Sequence, residues 1–494
     1  MCSIVVPPLQ RPEQPEHVLL APRRGTVVAR PDVVVVGGGP AGIGAAVGAA
    51  RAGADVVLAE RYGFLGGNAT AALVMPLMSW HNEVRGARAR GADEPLRLLP
   101  SDHGPGEPVV AGVLLDLMGR LLRRGGAVAP SEETGYTVPI DPEAYKSAAL
   151  DLLDCAGVKY LMHAFASGVT GEPSRPAGVV LETKSGPLVV EAPVIVDATG
   201  DGDIAAAAGA EYEIGRDDGL VQPMTLMFRI VEFERARFEG YVREHPDQWH
   251  GVSGLWELIE EAREAGELEM PREDLLFFAS PHEHEITVNS TRVAGVLGID
   301  VFDLTCAERL ARHQMEHIVR FLRKRVPGFE DAYAVQSGTT IGVRETRRIV
   351  GEYTLSGDDV RAGRSFDDVI ARGSYPIDIH DPTGGRGTLL ERLPLGGAYD
   401  IPLRCLIPRD VDGLLVAGRC ISGSHEAHSS YRVTPIALAT GQAAGVTAAL
   451  AARSGLAPRA VGAGDVQRVL LDQGADLGDA ASPASGAVRG VELG

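Results

Sequence analysis

Residues 32–60, DVVVVGGGPAGIGAAVGAARAGADVVLAE, decide the fold of this 494-residue chain. Residues 32–36 form a short apolar run that ends at a glycine turn, which predicts a strand buried on both faces. Residues 40–52 are small and mostly apolar, begin with a proline and stop at a glycine, which predicts a helix. Residues 55–59 repeat the buried-strand pattern. The stretch therefore predicts a strand–helix–strand unit with two parallel strands.

The turn between the first strand and the helix carries the spacing Gly37-x-Gly39-x-x-Gly42. The first glycine permits the tight turn, the second lets the backbone approach a pyrophosphate, and the third allows close helix–strand packing. The helix N-terminus presents unpaired N–H groups to phosphates. Glu60, at the end of the second strand, is placed to accept hydrogen bonds from a ribose. This combination predicts dinucleotide binding; the alternative is a glycine-rich packing turn without a ligand.

Glycines at the ends of other predicted strands favour FAD over NAD. A glycine pair at 66–67 follows Glu60, Gly200 follows the next long apolar strand, and Gly418 follows a third. Several such turns around one sheet suit a long, extended cofactor that spans the domain. No second strand–G-x-G-x-x-G–helix unit occurs in the sequence, so a dedicated NAD(P)H domain is not expected.

The patterning predicts an α/β protein in five segments. They are a flexible arm (1–30), the first part of an FAD-binding domain (31–210), a substrate or cap domain (211–400), the return of the FAD-binding domain (401–455) and a loose C-terminal tail (456–494). Further helices are predicted at 113–124, 142–155, 254–266, 305–325 and 435–453. Further strands are predicted at 158–166, 177–183, 188–196, 225–231, 285–289 and 411–417, and a loop or insertion at 83–108.

Composition and charge exclude several classes of protein. The chain has 47 basic and 66 acidic residues, a net charge of −19, which argues against a nucleic-acid partner. Its five cysteines contain no C-x-x-C pair, which argues against a disulfide scaffold, a zinc ribbon or a dithiol centre. The N-terminus does not resemble a signal peptide, so a cytoplasmic location is expected. Two uncharged runs, 33–50 and 433–452, reach membrane-spanning length, but glycine and proline interrupt both, and we interpret them as buried parts of the fold rather than as membrane contacts.

Motifs spread over most of the chain resemble one family of flavoproteins. GFLGG at 63–67, GVRETRRIVGE at 342–352, GRCIS at 418–422 and GQAAG at 441–445 occur together. In this combination the sequence resembles the FAD-dependent oxidoreductase family over about residues 31–453. The resemblance implies a Rossmann-like FAD-binding domain, similar to that of glutathione-reductase and fumarate-reductase flavoproteins, with an inserted α+β substrate domain.

The resemblance also implies which residues contact FAD. The ADP half is expected at the first glycine turn and Glu60, and the pyrophosphate and flavin along residues 61–68. The ribityl chain and the N1/O2 edge of the flavin are expected near Gly418 and residues 442–445, where a helix N-terminus would stabilise reduced flavin. The expected cofactor-binding residues are Gly37, Gly39, Pro40, Ala41, Gly42, Glu60, Arg61, Gly66, Gly67, Asn68, Ala166, Gly200, Asp203, Gly418, Gln442, Ala443 and Gly445.

Two histidines and an arginine lie between the third glycine-marked strand end and the last long helix, where hydride chemistry is expected. They are His425, His428 and Arg432. His428 and Arg432 loosely resemble the His/Arg pair by which fumarate and succinate enzymes hold a dicarboxylate. Histidine titrates near neutral pH, so His425 or His428 is the expected base. A metal is not expected at the histidine pair, because no third ligand accompanies it.

The GVRETRR segment allows two interpretations. It is either a solvated helix held by internal ion pairs or a segment from which Arg344 or Arg347 reaches the cleft and binds a carboxylate or carbonyl. In the second interpretation, Arg344 acts with Arg432 to orient the substrate and to stabilise developing negative charge.

The predicted function is that of a dehydrogenase or oxidase. It would transfer a hydride to flavin N5 from an activated C–H bond of a small polar substrate, with carboxylates and secondary metabolites as the classes considered. Electrons would then leave to oxygen or to a diffusible acceptor. The alternatives are a reductase of an activated C=C bond and a non-catalytic flavin-fold binding or scaffold protein. An aromatic hydroxylase is less favoured, because it usually needs NAD(P)H, and the oligomeric state stays open.

Overall fold

A computed structural model describes residues 9–83, 98, 106–131, 134, 136–385 and 387–478. Its helices, in chain order, are α1 (Pro40–Arg51), α2 (Val113–Arg123), α3 (Pro142–Ala156), α4 (Asp203–Ala207), α5 (Arg235–Glu244), α6 (Trp256–Glu264), α7 (Val301–Arg325), α8 (Gly357–Arg361), α9 (His425–Tyr431), α10 (Thr434–Ser454) and α11 (Ala463–Asp472). Its strands are β1 (Thr26–Ala29), β2 (Val33–Val36), β3 (Val56–Ala59), β4 (Pro76–Leu77), β5 (Val138–Pro139), β6 (Lys159–Leu161), β7 (Phe165–Glu172), β8 (Arg175–Thr183), β9 (Gly186–Glu191), β10 (Val194–Asp197), β11 (Tyr212–Ile214), β12 (Phe228–Val231), β13 (Trp249–His250), β14 (Ser253–Gly254), β15 (Leu275–Ala279), β16 (Ile286–Val288), β17 (Tyr333–Ser337), β18 (Arg347–Ile349), β19 (Val369–Gly373), β20 (Ile377–His380), β21 (Thr388–Glu391), β22 (Tyr399–Pro402) and β23 (Leu414–Val416).

A five-stranded parallel sheet, in the order β23-β10-β2-β3-β6, forms the centre of the first part of the chain. Val33 of β2 lies opposite Val56 on one side and Val194 on the other. Every residue of β2, β3 and β10 is buried, which explains why these strands are continuous apolar runs and not alternating patterns. The α/β class and the strand–helix–strand unit predicted for residues 32–60 are confirmed.

Helices α1 and α10 pack with their backbones in contact. A Cβ atom on Gly48 would lie 2.6 Å from the carbonyl oxygen of Gln442, and one on Gly445 would overlap the backbone of Ala45. Only small residues allow this approach, so both helices consist mainly of Gly and Ala. By length and composition alone α10 could cross a membrane, but 83% of its apolar window is buried inside the protein. The uncharged run 433–452 is therefore a core helix here.

The middle part of the chain has a core of its own. A six-stranded antiparallel sheet, in the order β13-β14-β15-β16-β12-β17, carries it. Its centre is a group of aromatic rings, in which Phe233 and Phe329 have centroids 4.7 Å apart and Phe238 and Phe277 have centroids 5.3 Å apart. Helix α7 covers this core with residues such as Phe321. Apart from Leu98, the core lies within the segment 211–400 that the sequence assigns to a second domain.

Both predicted flexible ends contain ordered structure. Within the arm 1–30, β1 pairs in parallel with β9 and extends the four-stranded sheet β1-β9-β8-β7. Within the tail 456–494, α11 buries Val466 and Leu470. Short apolar runs of this kind become ordered only when another part of the chain offers a partner, and that partner is distant in sequence. Residues 1–8 and 479–494, like most of the predicted loop 83–108, lie outside the described residues.

Two predicted strands are each divided between two sheets. The run 158–166 forms β6 of the parallel sheet and the start of β7, and the run 188–196 forms the end of β9 and most of β10. Pro193 separates β9 from β10 because it has no N–H to donate to a ladder. The GVRETRR segment is also not the solvated helix of the first interpretation: it is extended and enters β18, which pairs with β11.

Candidate functional site

A solvent-connected cavity of about 980 Å³ opens at the carboxyl ends of β2, β3, β10 and β23. Ligands of parallel α/β sheets bind at this edge. The predicted cofactor residues that line the cavity are Gly37, Gly39, Pro40, Ala41, Glu60, Arg61, Gly67, Asn68, Ala166, Gly200, Asp203 and Gly418. The lining residues that the prediction missed include Tyr62, Phe165, Thr199, Thr340, Arg419 and Thr434. Most of these are chain neighbours of predicted residues, and Thr340 is the exception without any sequence signal.

The first glycine turn has the shape that a pyrophosphate needs. Gly37 has a φ of +99°, a conformation that favours glycine, and a Cβ on Gly42 would overlap the carbonyl oxygen of Gly37. A Cβ on Gly39, in contrast, would meet only the Cα of Gly67, at 3.7 Å. Helix α1 has no acidic residue in its first turn and no side-chain cap, so its N-terminus is available to an anion. Gly42 thus allows α1 to pack closely against the turn, while Gly39 leaves space in the cavity that a side chain would fill.

Glu60 fixes the two cofactor turns relative to each other. Its Oε2 accepts a hydrogen bond from the N–H of Gly38 at 2.5 Å, and its Oε1 accepts one from the N–H of Tyr62 at 2.8 Å. Burial raises the pKa of the carboxyl group, and these two hydrogen bonds together with Arg61 oppose the rise. The N–H of Gly66 also donates to the carbonyl of Gly38 at 2.8 Å. Gly66 therefore supports the turn from behind and does not line the cavity.

A partly buried ion-pair network lies at the side of the cavity near β10 and β23. Arg419 Nη2 lies 2.9 Å from Asp201 Oδ1, and Arg347 Nη1 lies 2.9 Å from Asp203 Oδ1. Thr346 donates to Asp201 at 2.8 Å. Burial and the neighbouring Asp201 raise the pKa of Asp203, and Arg347 opposes them. Arg347 is thus held by the carboxylate of Asp203 and by the backbone carbonyl of Asp201, to which its Nη1 also donates at 3.0 Å.

The residues predicted around the flavin from α10 do not line this cavity. Gln442 accepts a hydrogen bond from the N–H of Val113 at 3.1 Å and so caps α2, while Gly445 packs on α1. Ala443 is fully buried. Glycines spaced for ligand approach serve helix–helix contact here, and the contact of these three residues with the cofactor stays a prediction.

The two predicted histidines also lie elsewhere. His425 Nδ1 is 2.8 Å from Glu345 Oε1, and the residue lines a second, wider cavity between the 213–218 loop and the β20–β21 hairpin. His428 is 1% exposed and lines neither cavity. Burial and the nearby Arg348 hold the pKa of His428 well below its usual range. Neither side chain lines the first cavity, and their role as base stays a prediction.

Arg432 lines the cofactor cavity and leads to a cluster of charges that includes the predicted Arg344. Arg432 Nη2 lies 3.0 Å from Asp378 Oδ2, and His380 Nε2 lies 3.6 Å from the same oxygen. Arg292 Nη2 is 3.5 Å from His380 Nδ1. We call Arg344, Arg432, Arg292, Asp378 and His380 the arginine cluster. Asp378 and His380 were missed by the prediction, although two polar residues at i and i+2 of the short strand IDIH signal one common face.

Arg344 is a half-buried cation without a counterion among the described residues. Its Nη1 donates to the carbonyl oxygen of Pro223 at 2.5 Å, and none of the described carboxylates forms an ion pair with it. Burial, reinforced by Arg432, lowers the pKa of Arg344 to about 9, although Asp378 opposes this change. Nearby, Gln222 Oε1 accepts weakly from the N–H of His380 at 3.4 Å, while its Nε2 has no partner in the described part. The cluster therefore has more donors and positive charge than it has acceptors.

The histidine of this cluster predicts a pH dependence of stability. Burial and then Arg344 lower the pKa of His380 to about 4, against 6.5 for an ordinary histidine. The unfolded chain therefore binds more protons between these values, and stability is lost as pH falls through that window. Between pH 7.5 and pH 5, the free energy of unfolding of the wild type should fall because of this histidine. In His380→Gln that fall should be smaller by about 2 kcal/mol.

Urea unfolding at the two pH values measures this difference. The matched control is His17→Gln, which changes an exposed histidine and should leave the loss unchanged. Buried His428 stays in all three proteins, so part of the pH dependence is common to them. An equal loss in wild type and His380→Gln would contradict the prediction.

Comparison with known proteins identifies the family. The family model described as FAD dependent oxidoreductase matches residues 32–470. A search of curated proteins gave no match. Among solved structures, the chain is similar to a geranylgeranyl bacteriochlorophyll reductase-like protein from Thermoplasma acidophilum, with 15% identity, a TM-score of 0.42, and coverage of 90% of this chain and 82% of that one. It is also similar to a myxobacterial chondrochloren halogenase, with 14% identity, a TM-score of 0.43, and coverage of 90% of this chain and 78% of that one. A third similar structure is p-nitrophenol 4-monooxygenase from Pseudomonas putida, with 9% identity, a TM-score of 0.43, and coverage of 91% of this chain and 85% of that one.

Proposed function

Because this chain belongs to the FAD-dependent oxidoreductase family, which the match over residues 32–470 shows, we propose that it oxidises a small carboxylate-bearing substrate as a dehydrogenase or oxidase. The observation that carries the proposal is the unpaired Arg344 in the cluster that begins at the cavity wall with Arg432. A half-buried cation without a counterion has lost part of its hydration, and a bound carboxylate would relieve that cost. Arginine binds carboxylates through paired N–H donors, which suits this role.

FAD fits the cavity residues of this chain. Gly37, Gly39 and the N-terminus of α1 would hold its pyrophosphate, and Glu60 lies at the expected ribose position. Asn68 would stay oriented, since its Nδ2 donates to the carbonyl of Val343 at 3.1 Å. Bound FAD supplies the two-electron acceptor for a hydride. The hydrogen bond from Asn68 also joins the cofactor turn to the residue that precedes Arg344.

The substrate would be oriented by the arginine cluster. Arg344 has free donors for a carboxylate, whereas Arg432 is already held by Asp378 at 3.0 Å and so provides a fixed positive charge. Positive charge in this place would also stabilise negative charge that develops next to the reacting carbon. We therefore retain the substrate-orienting role that the sequence analysis gave to Arg344 and Arg432, with Arg344 as the residue that binds the substrate directly.

His380 replaces His425 and His428 as the proposed base. Its Nε2 faces Asp378 at 3.6 Å, so the ring proton is favoured there, and Nδ1 is the proposed proton acceptor. In the free protein Nδ1 already faces Arg292 Nη2 at 3.5 Å and Thr388 Oγ1 at 3.3 Å, two long contacts that the substrate would have to replace. Burial, and then the positive charge of Arg344, keep His380 neutral in the free protein, with a pKa of about 4. A bound anion would offset Arg344 and raise that pKa towards the usual value, which improves proton uptake when substrate is present.

An anaerobic screen of the FAD-loaded protein tests the function. Small hydroxy and amino acids are added one by one, each beside its neutral amide, and the absorbance of oxidised flavin is followed. We expect bleaching without an added reductant by at least one carboxylate and not by the matching amide. Readmitted oxygen, or a diffusible dye if oxygen fails, should restore the absorbance because electrons leave to such an acceptor.

Other outcomes would point to other functions. Bleaching by an amide as readily as by its acid would contradict the carboxylate role but keep the dehydrogenase. A flavin that is never bleached by a substrate, and that is reoxidised by an activated alkene after chemical reduction, would support the C=C reductase. NADPH consumption coupled to hydroxylation of an aromatic compound would support a hydroxylase. A purified protein that is colourless and refuses FAD would favour the non-catalytic alternative.

A further inference from the structure

Two histidines and a glutamate meet on the outer face of the middle part, away from both cavities. His313 and His317 lie one turn apart on α7, and Glu269 comes from the segment that follows α6. One ligand atom from each side chain lies within 4.8 Å of the others. Residues at i and i+4 share one helix face, so α7 itself holds the two imidazoles together. We call these three residues the His313 cluster.

The side chains of this cluster already lie close to one another. His313 Nε2 lies 3.7 Å from Glu269 Oε2, and His317 Nδ1 lies 3.4 Å from the backbone N–H of Glu269. The two imidazole centroids are 4.5 Å apart. A tetrahedral ion with ligand bonds of about 2.0–2.1 Å holds its ligand atoms roughly 3.4 Å apart. Small side-chain rotations would bring the three ligands to that separation, and the long contact to His317 is weak enough to be replaced.

We propose that the His313 cluster binds one divalent transition-metal ion such as Zn²⁺, Ni²⁺ or Cu²⁺. Two imidazoles and one carboxylate are the ligand types that these ions take, and water would complete the coordination. The side chains of His313 and Glu269 are 51% and 78% exposed, so an ion reaches them from solvent. The site is separate from the proposed oxidation and does not depend on it.

Neighbouring ion pairs show what the bound ion would stabilise. Glu267 already pairs with Lys324 and Arg325 of α7, so the segment after α6 is held to that helix by charge. A metal ion bound by Glu269, His313 and His317 would add one more connection between this segment and α7. Three residues later, Arg272 pairs with Asp274 at 3.0 Å and adds positive charge near Arg344. The ion would therefore fix the segment that leads to the arginine cluster.

Calorimetric titration of the FAD-loaded protein, without an affinity tag and freed of metal, tests the site. We expect one ion per chain, with Cu²⁺ bound more tightly than Ni²⁺ or Zn²⁺ and Ni²⁺ more tightly than Co²⁺, as the Irving–Williams order requires. Mg²⁺ and Ca²⁺ should not compete, because they prefer sites made of oxygen ligands. The bound ion should also raise the unfolding temperature, because it binds the folded state.

Single variants locate the binding. His313→Ala and His317→Ala should each weaken Zn²⁺ and Ni²⁺ binding by at least about tenfold, and Glu269→Gln should weaken it less, since two imidazoles remain. His17→Ala, in an exposed residue far from α7 in sequence, should bind as wild type does, and the flavin spectrum should be the same in all variants. Binding that survives in both histidine variants, equal binding of Mg²⁺, or no binding of Cu²⁺ would each overturn the proposal.

Discussion

Replacing Arg344 by Met is expected to abolish binding of small carboxylates and, at the same time, to raise the free energy of unfolding by about 1–3 kcal/mol. A half-buried charge gives up part of its hydration, and Arg344 recovers only one hydrogen bond within the described residues, to the carbonyl of Pro223. Methionine keeps much of the apolar volume and removes the charge. The wild type is therefore less stable at this position than it could be, because Arg344 is kept for binding an anion.

Arg432 offers the matched control, because it lies in the same cluster but has a partner. Its loss would leave the buried Asp378 with His380 and the hydroxyl of Tyr375 but without a guanidinium, so Arg432→Met should destabilise the protein by about 3–5 kcal/mol. The two neighbouring arginine substitutions are thus expected to have opposite signs. Urea unfolding of both variants measures the signs, and the change in flavin absorbance on adding succinate or lactate measures carboxylate binding.

Two results would contradict this account of Arg344. If Arg344→Met loses as much stability as Arg432→Met, Arg344 is a structural residue whose partner matters to folding. If Arg344→Met gains stability but still responds to the carboxylates as wild type does, the cluster is not the anion site. Arg344→Lys separates charge from shape, since lysine keeps the charge but lacks the paired donors, and weaker carboxylate binding is expected from it.

The sequence predicted those parts of the fold and cavity that depend on residues close together in the chain. The run from residue 32 to Glu60 contains the strand, turn, helix and acid of one unit, so its local pattern is complete. The glycines of α10 show the limit of such patterns. A glycine four residues from another suits both a ligand and a second helix, and only the position of α1 decides that Gly445 contacts Ala45. The glutathione-reductase type of the domain stays a prediction.

The arginine cluster was only half visible in the sequence because its members come from distant segments. GVRETRR reads as a helix with ion pairs at i and i+3, and Glu345 does pair with Arg348 at 2.6 Å, but in an extended segment. Extended backbone sends Arg344 and Glu345 to different sides, Glu345 towards His425. Asp378 and His380 enter from a short strand in the middle part, and no local pattern relates that strand to residue 344.

The second large effect is expected at the first glycine turn. The same substitution, Gly to Ala, should impair FAD binding at Gly39 and folding at Gly42. Gly39→Ala adds a methyl group whose nearest neighbour is the Cα of Gly67 at 3.7 Å, an ordinary contact. The protein should therefore fold, but the methyl group would stand where the pyrophosphate approaches. Overpacking by one methyl group costs about 1–3 kcal/mol, which corresponds to a loss of FAD affinity of roughly 5- to 150-fold.

Gly42→Ala should instead prevent stable folding, because its methyl group would overlap the carbonyl oxygen of Gly37. That oxygen belongs to the backbone and cannot move aside by a side-chain rotation. Gly464→Ala in α11, where nothing lies within 4 Å of the new atom, is the matched control and should keep full FAD affinity. FAD titration followed by fluorescence, with the unfolding temperature of each FAD-free protein, separates the three results. Wild-type FAD affinity in Gly39→Ala would show that the pyrophosphate does not approach this turn, and the cofactor assignment of the cavity would then have to be abandoned.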